Sequence, residues 1–132
     1  MSIEELKRKF LVDEDVVKAR LENLLTKVLQ HCVVDKKGRV HINDAKMSGP
    51  NKFKLALSAR YLASQLDAAI SGSVSSAEIT DSTGLPAEQV AARAKDAIDK
   101  KFAESVGRGV YRAIPQKIDP FLDSLSAGDT RK

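Results

Sequence analysis

The chain has 132 residues, a single cysteine, no tryptophan and a formal net charge of +4. That length suits one compact unit or a small domain with an extension; with aromatics at only 5%, the core has to be built from Leu, Val, Ile and Ala. One cysteine excludes an intrachain disulfide, and a mild positive charge without a long Lys/Arg tract permits a nucleic-acid partner without demanding one.

No apolar run is long enough to span a bilayer. The stretch from Glu4 to Lys9 is charged and polar where a signal peptide would be apolar. The expectation is therefore a cytoplasmic protein with no membrane partner.

In chain order, Ser2-Ile3-Glu4-Glu5 fits a capping box, with Ser at the cap and Glu three residues on, and predicts a short helix from Ile3 to about Phe10. Asp13-Glu14-Asp15 places acid at the start of a second helix, Glu14 to His31, where the helix dipole favours it. Val17, Leu21, Leu24 and Val28 repeat at helical spacing, and Leu25 and Leu29 widen the stripe, giving an apolar face for a core or a partner helix. Val33 to Ile42 reads as a β-hairpin whose polar tip ends in Gly38. Asn43 to Pro50 is a connector in which Ser48 can cap the next helix and Pro50 suits its first turn. That helix, Asn51 to about Ile70, is apolar on two sides. Phe53, Leu57 and Tyr61 form one stripe and Leu55, Ala59, Leu62 and Leu66 the other, so burial on both sides is expected.

The segment from Ser73 to Ile114 follows a different pattern. A short polar helix, Ala77 to Asp81, meets a break at Ser82 to Pro86, and a longer helix runs from Ala87 to Lys100. Gly84 sits where the chain must reverse, Leu85 plugs the core below the turn, and Pro86 presets the first turn that follows. Val90, Ala94, Ala97 and Ile98 share one face of the longer helix. Two strand-like segments, Phe102 to Val106 and Val110 to Ile114, then flank Gly107-Arg108-Gly109. After them, Ile118 to Leu125 predicts a short terminal helix with Asp119 as cap and Pro120 as first residue, and Ser126 to Lys132 reads as a frayed tail.

GLPAEQVAARAKDAIDKKFAESVGRGVYRA resembles the second half of a prokaryotic winged helix-turn-helix domain: glycine turn, recognition helix, then a β-wing with glycine at its tip. The resemblance covers about Ser48 to Ile118, with Ser73 to Ser75 as a short first strand. It implies a winged helix-turn-helix over 48–118; the residues outside it predict an N-terminal helix and β-hairpin extension over 1–47 and a terminal helix and tail over 119–132, so that the whole is a mainly α (α+β) fold. It implies binding to double-stranded DNA by a probable transcriptional regulator. Carried over by position, Gln89 and Arg93 would reach base edges beside Ala92, Arg108 would reach a phosphate or the minor groove, and Lys95, Lys100 and Ser76 would contact the backbone. Glu88, Asp96 and Asp99 share the exposed face and oppose counterion release. They support the alternative, a winged helix used for protein contacts in a transcription, replication or repair assembly.

Two basic clusters, Lys36-Lys37-Arg39 at the hairpin tip and Lys7-Arg8-Lys9 near Lys18 and Arg20, read as solvated faces, the first also as an auxiliary phosphate contact. His31, Cys32 and His41, with Asp35 or Asp44, match no closed zinc spacing, so neither metal nor cofactor is expected. No phosphate loop, nucleophile elbow or zinc-hydrolase helix is present, which argues against an enzyme. A two-fold dimer through the Val17-Leu21-Leu24-Val28 stripe is the other partner expected, because it would place two recognition helices on successive major grooves.

Overall fold

One central helix, buried almost all round, organises the molecule. The computed structural model describes residues 2–10 and 14–129, with backbone alone for 8–10, 14–17 and 127–129. Among the described residues the chain is a mixed α+β structure. Helix α1 spans Ile3–Phe10, and its first turn is capped as expected, the Glu5 N–H donating to Ser2 Oγ at 3.2 Å. Ile3 and Leu6 are exposed.

Helix α2 spans Glu14–Val28 and stops three residues earlier than its periodicity predicts. The His31 carbonyl accepts from Asn43 N–H at 2.9 Å, which extends the ladder of the following hairpin into the expected last turn of the helix. Strand pairing displaces helix there. Val28 is buried, and Leu21, Leu24 and Leu25 are partly buried against the core. The stripe of α2 thus faces α3 and α6, defined below. Lys27 adds an ion pair to Asp119 at 2.5 Å and to Asp123 at 2.9 Å on α6. Hydrogen bonding to Asp119, then to Asp123, raises its pKa. The Val17 side chain, those of Arg8 and Lys9, and Asp13 lie outside the described residues.

Strands β1 (Cys32–Val34) and β2 (Val40–Ile42) form an antiparallel hairpin in the register Cys32 to Ile42. Helix α3, Gly49–Leu66, follows with Ser48 as its cap (Asn51 N–H to Ser48 Oγ, 3.3 Å) and Pro50 in its first turn. Phe53, Leu55, Ala56, Leu57, Ser58, Ala59, Arg60 and Leu62 are all buried. Both predicted stripes are used, except that Leu66 is exposed. The helix ends there rather than at Ile70 because Asp67 takes an extended conformation and its Oδ1 accepts the Ala69 N–H at 2.9 Å, a local turn that competes with helix.

Strand β3 (Val74–Ser75), helices α4 (Ser76–Thr83) and α5 (Ala87–Asp99), and strands β4 (Ala103–Gly107) and β5 (Val110–Ala113) complete the next unit. The three strands form one antiparallel sheet in the order β3-β5-β4. A 3-10 turn at Pro115–Lys117 leads directly into helix α6, Ile118–Asp129. Asp119 therefore lies inside the first turn of α6 instead of capping it, and Ser126 to Asp129 are helical where a frayed tail is predicted; 130–132 lie outside the described residues. One apolar cluster runs from Val28 and Cys32 through α3 and α5 to Phe121, Leu122 and Leu125. Each fully buried Leu or Phe in it contributes about 1.5–3 kcal/mol.

Candidate nucleic-acid interface

Helix α4 starts with a complete capping box that joins it to β3. Glu78 N–H donates to Ser75 Oγ at 3.2 Å, and Ser75 N–H donates to Glu78 Oε1 at 3.0 Å. At its other end Gly84, at φ 76°, donates to the Thr80 carbonyl at 2.8 Å. The Thr83 hydroxyl donates to the Ile79 carbonyl at 2.6 Å and accepts from Leu85 N–H at 3.1 Å. Leu85 is buried under this turn. Pro86 is the extended residue just before α5, rather than part of its first turn.

On α5, Val90, Ala94 and Ala97 are buried, with Ile98 packed beside them. This is the predicted inner face. The small Ala94 and Ala97 suit the close approach of α3. The helix ends in a Schellman arrangement: Phe102 N–H donates to the Ala97 carbonyl at 2.9 Å and Lys101 N–H to the Ile98 carbonyl at 3.0 Å, with Lys101 at φ 65°. That turn reverses the chain into β4.

The outer face of α5 carries Glu88, Gln89, Ala92, Lys95, Asp96, Asp99 and Lys100, all exposed. Arg93 lies half-buried at its edge, and its Nε is buried without a hydrogen-bond partner among the described residues. Lys100 pairs with Asp96 at 3.5 Å, one turn back on the same helix. Both are solvated, so this pair contributes little stability but removes part of one cation's reach.

The β4–β5 turn carries Arg108, exposed at the tip, beside Gly109 at φ 68°. This turn is anchored to the start of α4. The Ser76 N–H and hydroxyl donate to the Gly109 carbonyl at 2.9 and 3.3 Å. Ser76 is thus occupied in fixing the hairpin, a use that its sequence position does not suggest. Arg112 and Glu104 pair across the two strands. On the inner side, Tyr111 meets the Phe53 ring edge-on at 6.2 Å, which ties the sheet to α3.

A further feature escapes the sequence reading. Arg60, at the start of the fourth turn of α3, is buried. Its Nε donates to the Ser71 carbonyl at 2.6 Å, one Nη to the Gly38 carbonyl at 3.1 Å, and the other lies 2.8 Å from Glu78 Oε2. One guanidinium therefore joins α3, the loop before β3, the α4 capping box and the β1–β2 tip. Burial acts to raise the Glu78 pKa, but the Ser75 backbone donor and the Arg60 guanidinium outweigh it, and the net shift is downward. A small cleft of about 140 Å³ beside this joint is lined by Lys37, Arg39, Arg60, Glu78, Asp81 and Ser82. Arg39 pairs with Asp81 at 3.3 Å, and Val40 N–H donates to Ser82 Oγ at 3.2 Å, so the hairpin lies along α4. The only hint in the sequence is a charged arginine inside a run, Leu55 to Leu62, that is otherwise apolar but for Ser58 and the Tyr61 hydroxyl.

The hairpin tip is organised by Asp35. Its Oδ1 accepts from the Lys37 and Arg39 N–H groups at 2.9 and 3.0 Å, and its Oδ2 lies 2.9 Å from His41 Nε2. The hydrogen bond with His41, then that with the Arg39 N–H, holds its pKa down to about 2. Cys32 is buried, and that burial pushes its thiol up to about 12, so it stays protonated and unreactive. Among the described residues no group of His, Cys, Asp or Glu could hold a metal ion. No described helix is long and apolar enough to cross a membrane. Comparison of the chain with protein-family models, with curated proteins and with solved structures gave no match.

Proposed function

We propose that residues 48–118 form a winged helix-turn-helix and that the chain binds double-stranded DNA as a cytoplasmic transcriptional regulator, not as an enzyme. The observation that carries this reading is the joint at the start of α4. There Ser76 fixes the Arg108-bearing tip to the first turn of one helix while Gly84 aims the next helix, α5, with its outer face open to solvent. A helix and a β-tip presented by one rigid unit match what a major groove and its flanking phosphates accept. In this reading Gln89 and Arg93 contact bases beside Ala92, Lys95 and Arg108 contact phosphates, and Lys100 does so after leaving Asp96. Ser76 positions the wing, its hydroxyl being engaged by Gly109.

The test is binding to a mixed-sequence duplex across a salt series, followed by fluorescence anisotropy. The wild type is expected to bind with a steep salt slope. Arg108→Ala should weaken all sequences alike and flatten the slope by about 1, whereas Arg93→Ala should also relax sequence preference. Absence of binding at low salt removes the DNA reading.

A second reading has its own observation. Glu88, Asp96 and Asp99 all stand exposed on the outer face of α5, and Asp96 engages Lys100. A protein partner in a transcription, replication or repair assembly would tolerate that mixture better than a phosphate backbone. A homodimer remains part of the proposal, though not through the α2 stripe, since Leu21, Leu24 and Val28 pack on the core. The exposed Leu29, Val33 and Leu66 offer the alternative surface. A monomeric solution mass at working concentration sinks the dimer.

A further inference from the structure

The β1–β2 hairpin belongs to no part of the resemblance, yet it is joined to the β4–β5 tip through α4: it lies along that helix, Arg39 pairing with Asp81 and Val40 N–H donating to Ser82 Oγ, while the β4–β5 tip meets the first turn. The path between them is short and continuous. The Gly109 carbonyl is held by Ser76 at 2.9 Å, Ser76 adjoins the Ser75–Glu78 capping box, Glu78 meets Arg60 at 2.8 Å, and Arg60 meets the Gly38 carbonyl at 3.1 Å.

The two tips also share a chemistry. Arg108 is exposed at one, and Lys36, Lys37 and Arg39 are exposed at the other. Arg39 is partly committed to Asp81 at 3.3 Å. The two lysines follow Asp35, whose carboxylate is turned inward onto the Lys37 and Arg39 amides and His41. The tip's one acid is therefore spent on shaping the turn, and its cations face solvent.

We propose that the β1–β2 tip is a second phosphate-contacting element, with Lys36 and Lys37 as its contacts and Arg60 as the residue that positions it. This rests on the DNA reading above and extends the footprint beyond the recognition helix and wing. The contact is electrostatic and independent of sequence, because two flexible lysines on a turn offer point charges without a planar fork for base edges. Arg39 and Asp81 stiffen the base of the tip, so the lysines are presented from a fixed platform.

The experiment uses the full chain and a mixed-sequence duplex, with affinity measured across a salt series for four proteins: wild type, the double variant Lys36→Ala/Lys37→Ala, Arg108→Ala, and a charge-matched control, Lys18→Ala/Arg20→Ala on α2. The hairpin variant is expected to bind on the order of tenfold or more weakly at 0.1 M salt. Its log–log slope should flatten by about 1.8, twice the change for Arg108→Ala, while the control stays near wild type. Wild-type binding with an unchanged slope in the hairpin variant overturns the second contact and leaves the DNA reading standing. An equal loss in the control shows that net charge, not the tip, is responsible, and also overturns it. A wild type that does not bind at low salt removes both. The substituted side chains are exposed, and unchanged circular dichroism confirms that each variant is folded.

Discussion

The two β-hairpins solve the same problem with different parts. Each reverses at a left-handed glycine, Gly38 at φ 87° and Gly109 at φ 68°, and each brings a basic tip against α4, the β4–β5 tip at its first turn and the β1–β2 tip along its length to Asp81. The β4–β5 hairpin is held by backbone: its strands pair over several residues, β3 adds to one edge, and the Ser76 N–H reaches the Gly109 carbonyl. The β1–β2 hairpin has only three residues in each strand. Its position depends on side chains instead, on Arg60 at the Gly38 carbonyl and on Asp35 inside the turn. Backbone anchoring tolerates substitution because any residue supplies an N–H. Side-chain anchoring concentrates the same task on single residues, so the two hairpins should differ sharply in how easily one change dislodges them.

The largest effect is expected at Arg60. Arg60→Ala removes the partner of Glu78 and leaves two carbonyls without their donor, that of Gly38 in a buried joint and that of Ser71 in a part-buried one. Breaking a fully buried pair costs about 3–5 kcal/mol, and solvent at the half-exposed Glu78 carboxylate places this one at or below the lower end. Urea unfolding should show that loss, and amide exchange should rise in Cys32–Ile42 before it rises in Val110–Ala113. Equal loosening of both hairpins would erase the contrast.

A smaller and more discriminating effect separates the two glycines. An alanine at either must adopt a left-handed backbone, which costs about 1–2 kcal/mol. At Gly109 the new Cβ would meet the Ser76 hydroxyl at 3.4 Å, which can rotate away. At Gly38 it would lie 3.0 Å from Arg60 Cζ and Nε, and three contacts hold that guanidinium in place. Gly38→Ala should therefore destabilise by about 2–4 kcal/mol and Gly109→Ala by about 1–2. Reversal of that order in thermal melts would mean that Arg60 is looser than its contacts imply.

The same division explains what the sequence made legible. Ser48 with Pro50, Gly84 with Leu85, and the Val90-Ala94-Ala97 spacing are local patterns, and the elements they predict form as expected. Boundaries drifted where a local rule met a competing bond, at His31 through Asn43 and at Leu66 through Asp67. Beyond an arginine placed in a largely apolar run, nothing local marks Arg60, because its partners, Gly38 and Glu78, lie 22 and 18 residues away and only the fold brings them together. The helix position of Ser76 suggests a phosphate contact, whereas Gly109, 33 residues distant, takes its hydroxyl. Local periodicity thus foretells which face of α5 is buried.

The smallest effect is a difference in acid response. The Asp35 carboxyl sits near 2 in the folded chain against an ordinary value of 3.8, chiefly through the hydrogen bond with His41. A depressed carboxylate pKa contributes stability that is fully present above the unfolded value and is lost as pH falls through the folded one. Between about pH 4 and pH 2 the β1–β2 turn should therefore lose its closing bonds, beginning with those to the Lys37 and Arg39 amides. Glu78, also depressed, loses its hold on Arg60 by the same sign as acid rises. The β4–β5 tip from Val106 to Gly109 contains no carboxylate. An NMR titration should show the Lys37 and Arg39 amide shifts moving with a midpoint near pH 2 while the Arg108 amide stays in place. A midpoint at or above the ordinary aspartate value would show that Asp35 does not close the turn, and Asp35→Asn would then leave the hairpin intact.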